Sequence, residues 1–430
     1  MSAQSNTSSG FIDLATFDEV EKYLYGGPDS TTYFQAAHKT STWFTLVPAQ
    51  LNKTNAAGWG ADWSVSISRA GDYLRQAWLR VNISTVRGSA APAREIRWTR
   101  NFGHNLIQSA SLSFNDLSAQ TFDNYFLDFW AAFTVPKSKQ TGYDNMIGNT
   151  AAQYDGGGAN NIIPAFTINV PLPFFFTRDS GVALPTAALP YNEMRINIQF
   201  RDWTQLLIAY DGATPAAATI TDVVVAPTMK EANIWAEYAI VSNDERKRMG
   251  CSPRDILIEQ VQPAPRTAFE LAVGTKETNT DIRFSHAIKT LFFGVRNTTI
   301  SSEWSNYTVG AINSSGEPLS NVDPISYASL LYENTVRLAL PSDYFALVEP
   351  WYKAVSIPEK TGYHMYSYSL NMYDINPMGS TNYGKLTNVS LRLTSIDLAQ
   401  PAGSTYSTVI IGVNHNVCRI SGGAFGFPVL

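Results

Sequence analysis

Met194-Arg195-Ile196-Asn197-Ile198-Gln199-Phe200 alternates apolar and polar residues without a break. Successive side chains of a strand point to opposite faces, so this run predicts a strand with one buried and one wetted face. The pattern recurs in Trp63-Ser64-Val65-Ser66-Ile67-Ser68, in Tyr366-Ser367-Tyr368-Ser369-Leu370-Asn371-Met372 and in Val389-Ser390-Leu391-Arg392-Leu393. Turn signals separate these runs: Ala70-Gly71-Asp72, Asp179-Ser180-Gly181 and Asn376-Pro377-Met378-Gly379. Many short strands punctuated by Gly, Pro and Asn read as a sandwich or barrel.

One stretch departs from this period. Phe122, Tyr125, Phe126, Phe129, Trp130 and Phe133 recur at helical spacing, with Asp123, Asn124 and Asp128 on the other side. A helix is expected from near Ser118 to before Pro136, its aromatic stripe packed into a core rather than lining a ligand pocket. At the N-terminus a polar arm turns apolar at Phe11-Ile12. Thr16, with Glu19 three residues on, predicts a capped short helix through Leu24 that stops at Gly26-Gly27-Pro28. The mixed-charge cluster Glu245-Arg246-Lys247-Arg248 fits a short helix or turn. The domain boundary is expected around residues 205–230, where the chain passes through the small, turn-prone stretch Asp211-Gly212-Ala213-Thr214-Pro215-Ala216-Ala217-Ala218. Either side holds room for one eight-stranded barrel with long loops.

The 430 residues can bury sizeable cores, since 44% are hydrophobic. Charged residues make up only 16%, against about 25% in a typical domain. Such a chain is β-rich or hides much of its surface against copies of itself. The net charge of −5 includes no basic stripe, so direct nucleic-acid binding is not expected. Cys251 and Cys418 form neither a disulfide framework nor a zinc-ligand spacing. The first residues lack a secretory pattern, and no apolar run approaches the roughly 18–20 residues of a membrane span. The acceptor tripeptides at Asn82, Asn306 and Asn388 are therefore read as chance matches.

No nucleophile elbow, zincin or P-loop motif is present. Gly422-Gly423-Ala424-Phe425-Gly426 lacks dinucleotide spacing and reads as a turn. His38, His104, His286, His364 and His415 stand apart, none at ligand spacing to another, so each is expected to be packed and hydrogen-bonded. Glu193 and Glu349 could form a glycosidase pair only if the fold brings them together. No catalytic, cofactor-binding or metal-ligating residue is assigned.

Several segments resemble the major capsid proteins of large icosahedral double-stranded DNA viruses, and those of iridoviruses above all. They begin with Gly10-Phe11-Ile12-Asp13-Leu14-Ala15-Thr16, Tyr25-Gly26-Gly27 and Thr31-Thr32-Tyr33-Phe34, then Ser68-Arg69-Ala70-Gly71-Asp72-Tyr73 and Ile96-Arg97-Trp98. The most specific runs from Pro171 to Ile196, PLPFFFTRDSGVALPTAALPYNEMRI. Asp281-Ile282-Arg283-Phe284-Ser285-His286-Ala287, Leu347-Val348-Glu349-Pro350-Trp351-Tyr352, Gly379-Ser380-Thr381-Asn382-Tyr383-Gly384 and Gly426-Phe427-Pro428-Val429-Leu430 complete the match. The loops near 85–95, 150–165 and 395–407 are short for the family.

The resemblance implies an all-β fold of two consecutive eight-stranded jelly-roll barrels with a few short helices in loops. The expected divisions are an N-terminal arm at 1–30, a first barrel at 31–212 and a second at 213–430. It implies a structural protein rather than an enzyme, without cofactors, that forms homotrimeric pseudo-hexagonal capsomers in an icosahedral shell assembled in the host cytoplasm. Expected partners are copies of itself, minor capsid proteins and an internal membrane, with the arm making contacts beneath the shell. Phe174, Phe175 and Phe176 are expected to be buried on both sides, as core rather than trimer contact, with Pro171 and Pro173 at a strand edge or entry. The alternative is a glycan-binding, lectin-like β-sandwich for attachment; a jelly-roll hydrolase ranks lower.

Overall fold

The computed structural model describes residues 4–16, 18–24, 28, 30, 40–89, 95–155, 161–211, 214–217, 222–312 and 317–428. The chain divides into two units, residues 1–43 and 44–430. The small unit holds helix α1 (Gln4–Ala15) and a 3₁₀ turn at Glu19–Tyr23. Asp18, not Thr16, caps that turn by accepting from the Val20 N–H at 3.0 Å. The Thr16 hydroxyl instead donates back to the Asp13 carbonyl, a local bond that competes with the capping role. Gly26, Gly27, Thr31, Thr32, Tyr33, Phe34 and His38 lie outside the described residues.

Eight strands wall the first barrel: β1 (Phe44–Gln50), β2 (Asp62–Ser66), β3 (Tyr73–Ile83), β4 (Ile107–Phe114), β5 (Leu117–Asp123), β6 (Phe166–Pro171), β7 (Met194–Phe200) and β8 (Met229–Val241). They form two antiparallel sheets, ordered β1-β8-β3-β6 and β2-β7-β4-β5. The alternation at Met194–Phe200 does what its period dictates. Met194, Ile196, Ile198 and Phe200 are buried while Arg195, Asn197 and Gln199 face outward. Ile196 sits opposite Val65 on one side and Leu112 on the other, so inward residues of neighbouring strands form a continuous row.

Eight more strands wall the second barrel: β9 (Arg254–Pro263), β10 (Glu277–Ile282), β11 (Ala287–Asn297), β12 (Ile325–Tyr332), β13 (Thr335–Pro341), β14 (His364–Ser367), β15 (Val389–Ser395) and β16 (Tyr406–Ser421). Their sheets are ordered β9-β16-β11-β14 and β10-β15-β12-β13. Adding eight to every label of the first barrel gives the second. Two sheets whose four wall strands follow this crossed order are a jelly roll, and the chain contains two of them in tandem.

The division between barrels falls later than the expected 212/213. β8 pairs with both β1 and β3, so the first barrel is complete only at Val241. Within the region expected to hold the boundary, Thr214–Ala217 pairs antiparallel with Leu207–Asp211. Other differences have local causes. The aromatic helix α2 spans Asn124–Thr134, because Asp123 caps it by accepting from the Phe126 N–H at 3.0 Å; Phe122 belongs to β5. The charge cluster lies on helix α3 (Asn243–Cys251), between the barrels. The run expected as a strand at 366–372 leaves the sheet after Ser367. There the Ser367 hydroxyl accepts from the Ser369 N–H and Ser369 Oγ donates to the Asn371 carbonyl, bonds that compete with a ladder. Phe174, Phe175 and Phe176 are buried, but in a 3₁₀ turn rather than a strand. Pro171 ends the edge strand β6, where a missing donor costs nothing. Among the described residues no helix is long and apolar enough to cross a membrane.

Candidate functional site: the barrel junction and the exposed faces

The aromatic stripe of α2 is the seam between the barrels. Phe129 meets Phe292 of β11 and packs edge-on against Tyr307 and Tyr363 at 5.3 and 5.1 Å. Phe133 stacks on Phe292 at 5.5 Å, and Trp130 meets the same ring edge-on. Phe292 faces away from its own barrel interior, where Phe293 packs instead. The first barrel therefore buries its α2 against the outer face of the second barrel's β9-β16-β11-β14 sheet. Beside α2, the Gln260 amide on β9 donates to the Ala119 carbonyl on β5 at 2.7 Å.

Charged groups cross this seam in pairs. Arg97 in the first barrel reaches Glu303, in the loop after β11, at 2.8 Å with both side chains buried, and it donates as well to the Tyr210 hydroxyl. Arg178 lies over the Trp130 ring at 3.6 Å and pairs with Glu259 on β9, which Lys289 on β11 also meets at 2.6 Å. Burial pushes the Glu259 carboxyl up, but Arg178 and Lys289 outweigh it and hold the group below the usual carboxylate range. The guanidinium carbons of Arg201 and Arg296 lie 3.5 and 4.1 Å from the centre of the Trp304 ring. Burial pulls the Arg201 guanidinium down to about 10.

Asp128 on α2 is a hub. One oxygen contacts His104 Nδ1 at 2.7 Å and the other accepts from Ser305 Oγ at 2.6 Å. Serine, carboxylate and imidazole in this order make no nucleophilic triad, because the base must touch the nucleophile. The second nitrogen of His104 is taken by the Tyr143 hydroxyl at 2.6 Å. The cluster joins the barrels, since Asp128 and His104 lie in the first and Ser305 in the second.

The remaining sequence candidates do not converge. His364 Nε2 contacts Asp323 at 2.7 Å. His415 is buried in β16, and desolvation lowers its pKa. His286 takes a left-handed backbone at φ 64° just before β11. Glu193 pairs with Arg195 in the first barrel and Glu349 with Lys353 in the second, so the two carboxylates serve separate structural roles. Among the described residues no three His, Cys, Asp or Glu side chains are grouped to hold a metal. Asn306 is buried and hydrogen-bonded to Gly310, which leaves no room for a glycan there.

Exposed apolar groups stand on other elements as well. Helix α4 (Glu349–Lys353) and its flanks present Leu347, Val348, Trp351, Tyr352 and Val355, with Trp351 70% and Tyr352 76% exposed. Strand β1 presents Phe44, Leu46 and Val47. A groove of about 420 Å³ runs between Trp78, Trp130, Pro171 and Tyr373. The cross-barrel ion pairs and these faces were not foreseen from sequence. A signal did exist for the first, since Arg97 stands between the apolar Ile96 and Trp98.

Comparison with known proteins follows the same division into two barrels. Residues 32–241 match the family described as major capsid protein N-terminus, and residues 245–426 match large eukaryotic DNA virus major capsid protein. The chain is 55% identical to the major capsid protein of Costelytra zealandica iridescent virus, over 100% of this chain and 99% of the relative. It is 53% identical to that of Invertebrate iridescent virus 6, over 100% and 99%, and 44% identical to that of Frog virus 3, over 99% of each. Among solved structures, a chain of the PBCV-1 virus capsid superposes with a TM-score of 0.76 at 21% identity, covering 93% of this chain and 100% of that one. The Faustovirus major capsid protein superposes at 0.73 with 11% identity, covering 91% and 93%. Such relatives are structural proteins of the virion shell, which accounts for a seam built for cohesion and for apolar faces left open. With near-full-length identity and one strand order used twice, this chain belongs to the major capsid proteins of large eukaryotic DNA viruses and is a structural protein, not an enzyme.

Proposed function

We infer that the chain closes into a homotrimer with a pseudo-hexagonal outline and that these capsomers tile the flat facets of an icosahedral shell. The observation that carries this is the repeated strand order of the two barrels. Three copies of a chain with two like barrels set six like walls about a threefold axis, and hexagons tile a plane. Closed threefold symmetry needs two different, complementary faces on each copy. In this reading the N-terminal arm is a separate functional segment that works beneath the shell. Minor capsid proteins and an internal membrane are the partners there, and assembly takes place in the host cytoplasm.

Light scattering coupled to size exclusion tests the closure. The chain is 47.3 kDa, so the capsomer is expected at three times that, about 142 kDa, undiminished on dilution. A folded monomer across the concentration range overturns the homotrimer.

A further inference from the structure

The junction inside one chain uses one face of each barrel and leaves the counterparts open. From the first barrel it takes strand β5 and the helix after it, α2. From the second it takes strand β9 and the outer face of that strand's sheet, centred on Phe292. In the second barrel the strand equivalent to β5 is β13, and the helix after it is α4. In the first barrel the strand equivalent to β9 is β1.

These counterparts are the uncovered ones. β13 is exposed over Thr335–Arg337, where Val336 is 52% exposed, whereas its equivalent β5 is mostly shielded. β1 is exposed at every residue except Ala49, which is half-buried, whereas β9 has buried and half-buried residues along most of its length. α4 and its flanks carry Leu347, Trp351 and Tyr352 into solvent, whereas α2 is sunk into the seam. On the outer face of the first barrel's sheet, Trp78 of β3 stands opposite Pro171 of β6 and Trp235 of β8. Phe292 of β11 stands in the same row of the second barrel, opposite Met365 and Ile411. Trp78 and Trp235 stack 6.5 Å apart and remain half-buried.

We propose that the β13–α4 face of one copy packs onto the β1 edge and the Trp78–Trp235 face of the next copy, repeating between chains the junction that joins the barrels within one. The two faces differ, as a heterologous closing interface requires, and each carries apolar side chains that its own chain leaves open and a permanent interface would cover. The occupant of each face is thus a second copy of this chain. The assignment rests on the homotrimer and names the surfaces that close it.

Two substitutions at exposed positions test it, Trp351→Glu on the helix face and Leu46→Glu on the strand face, with light scattering in reductant. Each variant alone is expected at 47.3 kDa. Their equimolar mixture is expected to shift, increasingly with concentration, toward twice that mass, about 95 kDa. The mixture has one intact helix face and one intact strand face, so a single junction forms and the ring cannot close. Variants that stay at about 142 kDa beside a trimeric parent overturn this assignment and leave the homotrimer standing. A mixture that remains monomeric shows that the two faces are not each other's partners and overturns it too. A monomeric parent instead removes the homotrimer itself. Circular dichroism checks folding, and Tyr352→Lys and Phe44→Glu, at residues 76% and 59% exposed, replace a variant that does not fold.

Discussion

Arg97 and Glu303, one from each barrel, form a 2.8 Å ion pair from which water is excluded, with their side chains 0% and 1% exposed. A pair this deep gains little over a well-packed apolar pair, because both charges lose their hydration. Breaking it is a different matter, since one charge is then left buried alone.

Glu303→Ala is therefore expected to destabilise the body of the protein by about 3–5 kcal/mol. The double replacement Arg97→Met with Glu303→Leu should recover most of that loss. Denaturant midpoints at one fixed protein concentration measure both, the concentration being held because assembly also stabilises the fold. A double variant no better than the single one would show that the pair itself, not the orphaned charge, matters.

Asp72 and Arg246 fasten the linker helix α3 to the first barrel, through contacts of 2.6 and 2.9 Å, and Asp72 also accepts from the Val241 N–H. The hydrogen bond from Arg246 is the main reason the Asp72 carboxyl lies below its usual range. A carboxyl lowered by folding adds stability above the unfolded value of about 3.9 and loses it as pH falls through the folded value. Asp72→Asn should thus cost roughly 1 kcal/mol at pH 7, discounted for the partly exposed Arg246. The gap between parent and variant should close once the pH falls below the lowered carboxyl value. Melting temperature against pH checks the convergence.

Phe129→Ala removes a fully buried ring from the centre of the seam and is expected to cost about 3–5 kcal/mol. Gly294→Ala attacks the same place by overfilling it. A Cβ at Gly294 would stand 2.9 Å from the Phe129 ring and 2.8 Å from the Gly362 carbonyl oxygen, an overpacking of about 1–3 kcal/mol. Combined, the two changes should cost less than their sum, because the shortened side chain makes room for the new methyl. A thermodynamic cycle over the four proteins reads this directly.

The strands at Met194–Phe200 and Val389–Ser395 were legible because alternation is written locally, residue by residue. So was the aromatic stripe of α2 as a packed face. Its start at Asn124 was less legible, since Ser118 and Asp123 are both acceptable caps and only the pairing of β5 with β4 decides between them. The barrel division was hidden for a related reason. Small residues at 211–218 mark a turn but do not say which sheet the following strand joins, and β8 returns to β1 and β3. The exposure of Leu347 and Trp351 was hidden more deeply. In one chain's sequence they look like core, and only the folded barrel shows that nothing within the chain covers them.

Glu349 links the fold of the second barrel to that open face. Its side chain is buried at the start of α4, where it accepts from the Ser367 N–H at 3.1 Å, the Tyr344 hydroxyl at 3.0 Å and the Lys353 ammonium at 2.8 Å. It fixes the helix against β14 and so sets where Trp351 and Tyr352 stand. Glu349→Gln keeps the size but removes the charge, so one or two of the three donors lose a good acceptor. The two barrels, held by sixteen wall strands and the seam, should remain folded by circular dichroism. The face should lose its fixed position, and an interface that depends on it should weaken about tenfold for each 1.4 kcal/mol lost. The expected result is a trimer that dissociates on dilution where the parent does not, followed by light scattering. Lys353→Ala removes the ammonium's bonds to Glu349 and to the Ser367 carbonyl but leaves a charged carboxylate for the other two donors, so it should weaken the interface less. Equal weakening by both would mean that the ammonium alone positions the helix.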